Sequence, residues 1–268
     1  MAITTFIPEV WEARLIENFR RNTVFASLAN RNWEGEIAQY GDTVHLNSLA
    51  DITVKPYTPN VDIADPEQLT TTDQVLEINH GTYYNFYVND VDAVQARGDL
   101  MDAAMRNAAA RLAEDVEDYI VSVVTDGAGV KLSGALTADN VYAELIKIKT
   151  GMDEKNVPRS GRHLVVPPSV EGLLLQDSRF ISTGLQASEN RLIDGEIAKA
   201  AGFTIYVSNA LDDAMVAFTS DALTFANQIT KTEAYRREKG FDDGVKGLSL
   251  CGAKVVMPDA VAVYTISA

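Results

Sequence analysis

Residues 99–125 read DLMDAAMRNAAARLAEDVEDYIVSVVT. Met101, Met105, Ala108, Leu112, Val116, Tyr119 and Val123 recur at three- and four-residue steps, which places them on one face of an α-helix. Asp102, Arg106, Asn107, Arg111, Glu114, Asp118 and Ser122 fall on the other side. The alanines from Ala103 to Ala110 add helix propensity. Asp99 after Gly98 suits an N-cap, and Gly127 suits the C-terminal end. At 1.5 Å per residue such a helix is about 40 Å long, against an average of about 11–12 residues for globular helices. Two readings stand open: a spine over which a sheet is laid, or an ordinary amphipathic helix of an α+β domain.

Strand patterns flank this helix. Upstream, Asp42-Thr43-Val44-His45-Leu46 and Asp51-Ile52-Thr53-Val54 alternate, and Val75–Ile78 and Thr82–Val88 are rich in β-branched and aromatic residues. Between them lies a polar, proline-containing stretch, Lys55 to Asp73. The pattern predicts two strands out, a long loop and two strands back. That is either an arm with little core of its own, ordered by contact with something else, or a meander packed on the same domain. Further upstream, Pro8-Glu9 opens a helix to about Arg21 with Trp11, Leu15 and Phe19 on one stripe. Its partner is either the chain's own core or a neighbouring subunit.

Downstream, Thr137–Asn156 predicts a helix with Val141, Leu145, Ile148 and Met152 facing inward. Arg162–Val166 reads as a buried strand, and Pro167-Pro168 starts a helix through Val170, Leu173, Leu174 and Leu175. Gln176–Arg191 reads as loop. Phe203–Val207 and Met215–Thr219 read as strands. The tail alternates from Ile229 to Arg236, turns at Gly240 and Gly244, runs through Leu248–Met257 and ends in Ala260–Tyr264. Helices and strands alternate without a βαβ period, so the class is α+β.

Charge narrows the function classes. The 268 residues hold 38 acids against 23 Lys and Arg, a net charge of −15. Such a chain does not hold DNA phosphates by broad electrostatic attraction, and it suits a surface that repels nucleic acid while lying close to it. One cysteine, Cys251, excludes an intrachain disulfide framework and a cysteine-rich metal site. No run of about 18 apolar residues predicts a membrane span, and MAITTFIPEVWEARL lacks the pattern of a signal peptide. These features fit a cytoplasmic protein or one assembled in cytoplasm.

The search for chemistry is sparse. His45, His80 and His163 lie in or beside strands with no metal-ligand spacing, and read as structural or surface residues. Cys251, in an apolar strand, reads as a buried inert thiol. Ser208 lacks a nucleophile elbow around it. Gly127-Ala128-Gly129-Val130-Lys131 lacks the Gly-Lys-Ser/Thr ending of a phosphate loop. Asp242-Asp243-Gly244 lacks the further oxygens of a calcium loop and reads as a turn. Glu114, Asp115, Glu117 and Asp118 read as a solvated or subunit-facing helix surface rather than a cation site. Arg236, Arg237 and Lys239 form a compact basic cluster, facing solvent, acids of a neighbour or DNA phosphate. No catalytic residue, cofactor or metal is expected.

Several stretches nonetheless form an ordered pattern. Phe6–Trp11 (FIPEVW), Trp33–Ile37 (WEGEI) and Gly41–Val44 (GDTV) come first; Asn156-Val157-Pro158, Gly161-Arg162 and Leu164–Pro168 follow; then Gly202–Asn209 (GFTIYVSN). Together they resemble the major capsid proteins of tailed bacteriophages, the Hong Kong 97-type fold, over nearly the whole chain. The resemblance implies an N-terminal arm (1–40), an extended β-loop lying over a neighbour (41–88), a peripheral domain with the spine helix (89–136), an axial domain (137–228) and a C-terminal return to both domains (229–268). It implies a structural, non-enzymatic protein self-assembling through hexamers and pentamers into an icosahedral shell around double-stranded DNA. Scaffolding, portal and decoration proteins are its implied partners, and its place is the virion capsid, assembled in the bacterial cytoplasm. No long N-terminal extension suggests a cleaved internal scaffold, so scaffold would be separate or the chain already mature. A related reading in the same fold is an encapsulin-like nanocompartment with protein cargo. The alternative of another class is a soluble hydrolase using an acid pair such as one that includes Asp118.

Overall fold

The computed structural model describes residues 24–32, 43–49, 52–57, 59, 62, 65–68, 71–89, 100–176, 196–237, 240 and 242–267. The Pro8–Arg21 helix, the Asp99 cap and Lys239 lie outside them. In chain order the elements are α1 (Phe25–Leu28), β1 (Thr43–Leu49), β2 (Thr71–Glu77), β3 (His80–Asn89), α2 (Leu100–Gly127), β4 (Val130–Gly134), α3 (Val141–Glu154), β5 (Arg162–Val166), α4 (Pro168–Gln176), β6 (Glu196–Ala200), β7 (Phe203–Val207), β8 (Ala214–Thr219), β9 (Leu223–Arg236), β10 (Asp242–Val255) and β11 (Val261–Ile266).

Helix α2 has 28 residues, about 42 Å at 1.5 Å each. Its buried face differs from the one that spacing predicts. Met105, Ala109, Leu112, Ala113, Val116, Ile120 and Val124 are buried, whereas Ala108, Tyr119 and Val123 are only half-buried. The stripe is turned by about one position, because α2 is covered from two sides: β10 and β3 lie along one flank and α1 along another. The alanines at 109 and 113 let these neighbours approach closely.

Three sheets surround this axis. A six-stranded sheet runs β4-β11-β8-β5-β7-β6. Its middle strands read as near-continuous apolar runs, AMVAFT and RHLVV, because helices or core cover both faces. Parallel pairs β4–β11 and β5–β7 alternate with antiparallel pairs β8–β11, β5–β8 and β6–β7. Helix α3 packs on β11 and β4 and against α4, with Val141, Leu145, Ile148 and Met152 fully buried, as the period-3.6 pattern requires. Strand β4 overlaps residues 127–131, and its Val130 and Leu132 alternate with Lys131 and Ser133. Strand β6 carried no alternation of its own.

A three-stranded antiparallel sheet, β3-β10-β9, packs on α2. Asp242 opens β10 opposite Asn89, and Gly244 pairs with Tyr87 and Tyr235, so the predicted turn at residues 242–244 is a strand. The glycine is needed there because the Tyr235 ring crosses over it: a Cβ would come within 2.6 Å of Tyr235 Cζ.

The third sheet is the ribbon β1–β2, antiparallel from Thr43↔Glu77 to Leu49↔Thr71. The expected pairing of two strands out and two back is not what forms. Residues 52–57 have no strand pairing, and β3 leaves the ribbon to join β10. Ile52, Thr53 and Val54 alternate as a strand would, but they lack a partner chain segment to fix them as one. Val44, Leu46, Leu76 and Ile78 form a small separate core with Ala226 and Leu250, which roots the ribbon on the three-stranded sheet.

Candidate assembly surfaces

The unpaired segment between β1 and β2 carries strongly exposed apolar side chains. Ile52, Val54 and Tyr57 are 69%, 92% and 76% exposed. Hydrogen bonds tie this stretch to the coil that returns toward β2. Thr53 donates through its backbone N (3.2 Å) and its hydroxyl (3.3 Å) to the two oxygens of Glu67. His45 Nδ1 lies 2.7 Å from Asp73 Oδ2 across β1 and β2. Polar clasps thus position a segment that presents apolar groups to solvent.

A second such surface is the outward face of β3-β10-β9. Alternation sends Tyr84 and Phe86 toward α2 and leaves Tyr83 and Tyr87 outside, beside Leu248. Charged residues frame them: Lys246 pairs with Glu233 at 2.9 Å, and Tyr235 donates its hydroxyl to Asn85 Oδ1 at 2.7 Å. The Glu233 hydrogen bond holds the Lys246 amine above its ordinary range. Two members of the predicted basic cluster, Arg236 and Arg237, pair with acids within this sheet. Arg236 pairs with Asp243 at 3.1 Å and Arg237 with Asp242 at 3.2 Å, and the Arg237 guanidinium sits 4.6 Å from the Tyr87 ring centroid.

Between β3 and α2 lies a polar joint. His80 Nε2 is 2.6 Å from Asp115 Oδ2, Thr82 donates its hydroxyl to the same oxygen at 2.7 Å, and the His80 ring stacks on Tyr119 at 4.3 Å. Tyr119 in turn donates to Asn79 Oδ1 at 3.0 Å. Partial burial opposes ionisation of Asp115, but the Thr82 and His80 contacts outweigh it and keep its carboxyl below the usual range. Asp118 moves the other way: burial, then the like charges of Asp115, Glu114 and Asp212, raise it.

The four helix acids therefore divide. Glu114 faces solvent with Arg111 at 2.7 Å, Asp115 bonds to β3, and Asp118 is exposed. Glu117 is 7% exposed, a correction to the reading of these acids as one helix surface. Its Oε1 accepts the backbone N–H of Val24, and its Oε2 accepts the Ser208 hydroxyl at 2.8 Å. Buried carboxylates persist where hydrogen bonds satisfy both oxygens. No local signal sets Glu117 apart from its exposed neighbour Asp118; its donors come from distant sequence.

The remaining candidates stay apart. His163, in β5, meets Ser220 Oγ at 3.1 Å and lies between Tyr206 and Phe218. Cys251 is buried in β10, and burial pushes its thiol up to about 12. Gly127 ends α2 and Val130 opens β4, with Lys131 Nζ donating to the Asp126 carbonyl at 3.3 Å, so residues 127–131 form a helix-to-strand junction and not a phosphate cradle. Among the described residues, no group of three or more His, Cys, Asp or Glu side chains could hold a metal ion, and no helix is long and apolar enough to cross a membrane.

A spine helix with sheets packed on it and a β1–β2 connection that offers apolar groups to solvent suit a subunit that meets other copies. Comparison with known proteins makes this particular. The family of the phage capsid protein matches residues 76–266, and the chain belongs to that family. It is a major capsid protein of the Hong Kong 97-type fold, a shell-forming component of the virion capsid. Its fold is similar to the structure from Mycobacterium phage Che8, with 31% identity, 98% of each chain covered and a TM-score of 0.74. It is similar to the capsid of cyanophage P-SCSP1u at 16% identity, covering 92% of this chain and 89% of that one, with a TM-score of 0.71. A virus-like particle from Pyrococcus furiosus shares the fold at 15% identity, 96% and 98% coverage and a TM-score of 0.62. No curated protein matches the chain by sequence.

Proposed function

We propose that the chain builds an icosahedral shell of hexamers and pentamers that encloses double-stranded DNA. In this reading residues 1–40 are an arm, 41–88 an extended loop, 89–136 the peripheral domain, 137–228 the axial domain and 229–268 the return. The observation that carries it is the segment between β1 and β2: it exposes Ile52, Val54 and Tyr57, and Thr53 within it hydrogen-bonds Glu67. Single exposed apolar residues are ordinary, but a clasped segment presenting three of them is suited to a partner surface. The outward Tyr83, Tyr87 and Leu248 offer such a surface on a second copy, and a contact between two different patches propagates from copy to copy until a shell closes. The net charge of −15 suits a wall that lies beside packaged DNA without gripping it. Scaffolding, portal and decoration proteins are its expected partners in the host cytoplasm.

Deleting Tyr57–Thr72 tests the loop assignment. The shortened chain should fold, shown by unchanged far-ultraviolet dichroism, and remain a small species in sedimentation. Complete shells from the deletion variant would remove the loop from the assembly contact. The Pyrococcus likeness supports a second reading, a compartment around protein cargo, and the content of purified particles separates the two: nucleic acid for the first, protein for the second.

A further inference from the structure

The Glu117 carboxylate joins three parts of the fold at one buried point. Oε1 holds Val24, at the foot of the arm; Oε2 holds Ser208, just past the end of β7; and Glu117 itself belongs to the spine. The Ser208 side is braced further. Its hydroxyl oxygen accepts the Ala210 N–H at 3.2 Å, and its backbone N donates to the Val166 carbonyl at 3.1 Å at the end of β5. The arm foot continues through Phe25, stacked on Phe218 of β8 at 6.0 Å, to Asn30, which exchanges backbone bonds with Leu223 and Phe225 of β9. Both oxygens of Glu117 are engaged, and the side chain is buried although it lines an open cavity together with Val24 and Ser208.

We propose that Glu117 is a latch coupling Val24, on the N-terminal side of the fold, to the Ser208 loop of the six-stranded sheet, so that loosening either hydrogen bond loosens the other. This rests on the shell reading for its purpose, since the arm is the part expected to reach a neighbouring copy. Val24 and Ser208 bond to different oxygens and are 184 positions apart. What they share is the carboxylate's rotamer, which each donor helps to fix. Losing one donor frees the group to swing toward the other side or toward solvent, and the second bond weakens with it. Coupling of this kind is reciprocal.

Amide hydrogen exchange on the full-length chain tests it. Ser208→Ala should speed exchange at the Val24 amide by about 10-fold, the size of one charge-assisted hydrogen bond partly lost. Ser208→Thr, which keeps the hydroxyl, should leave Val24 protected as in the parent. Glu117→Gln keeps the shape but offers one acceptor in place of two, and should speed exchange at both Val24 and Ala210. Protection of Leu164 and Val165 in β5 reports whether the variants stay folded. Unchanged or slower exchange at Val24 in Ser208→Ala, with β5 intact, overturns the latch. Where β5 protection is lost in Ser208→Ala, the Glu117→Gln pair of readouts decides by the same criterion. Failure of the parent chain to form shells counts against the shell reading alone, because the exchange arm needs no assembly.

Discussion

Ile120→Ala and Val123→Ala are neighbouring truncations on one helix with very different expected costs. Ile120 is fully buried among the core side chains of α2, whereas Val123 is half-buried at its edge. Removing three carbons from Ile120 forfeits about 2.4 kcal/mol of transfer free energy at about 0.8 kcal/mol per methylene. The void left behind adds roughly 1 kcal/mol where the surroundings relax only in part, and the gain in helix propensity returns about 0.4 kcal/mol. The net is about 3 kcal/mol. For Val123 the transfer loss is about 1 kcal/mol and the propensity gain offsets about half of it, leaving well under 1 kcal/mol. Urea unfolding of the dissociated subunit, followed by far-ultraviolet dichroism, reads both as midpoint shifts. Ile120→Ala should lower the midpoint by about 1 M or more and Val123→Ala by a small fraction of that. Equal shifts, or a larger one for Val123, would mean that α2 presents the face its spacing suggests rather than the one described here.

Arg162 is buried with its guanidinium donating to Asp153 Oδ1 at 2.7 Å and to the Val157 and Pro158 carbonyls. Arg162→Ala should cost about 1–3 kcal/mol in the same unfolding assay, since it leaves the Val157 and Pro158 carbonyls without their donor. The Arg162 hydrogen bond holds the Asp153 carboxyl below its usual range, so its contribution is complete above the unfolded value of 3.8 and is lost as pH falls through the lower folded value. The difference between parent and Arg162→Ala should therefore shrink below about pH 4 and stay constant above it. Cys251, with its thiol pushed up to about 12, should react with iodoacetamide at pH 8 roughly 10³-fold more slowly in the folded chain than in urea, and mass spectrometry of the alkylated fraction reads this.

What the sequence disclosed follows from how each element is buried. Helix α3 buries one face, so its apolar residues repeat with the helical period, and strand β5 is covered on both faces, so it reads as an unbroken apolar run. Helix α2 is packed from more than one side, so its stripe blurs, and Tyr119 and Val123 compete with Ile120 and Val124 for the inner face. Strands β4 and β6 are edges of the six-stranded sheet, five residues long, and register there comes from β11 and β7 rather than from their own alternation. The basic cluster was legible as composition, but the pairing of Arg236 and Arg237 with Asp243 and Asp242 depended on a cross-strand register that the local pattern, read as a turn, concealed. Glu117 is the plainest case. A carboxylate in a helix reads as solvent-facing until the two donors from distant sequence, Val24 and Ser208, are brought to it. The capsid family itself was legible because several short turn and strand motifs keep their order along the chain, whatever each contributes alone.

The central claim is that this chain is a shell subunit. Electron microscopy of the high-molecular-weight fraction from cells expressing the chain tests it most directly. The account predicts closed shells hundreds of ångströms across, in which the 28-residue helix and its two sheets repeat as one unit. A uniformly monomeric chain that stays so at high concentration, with no closed particle in the fraction, would contradict it.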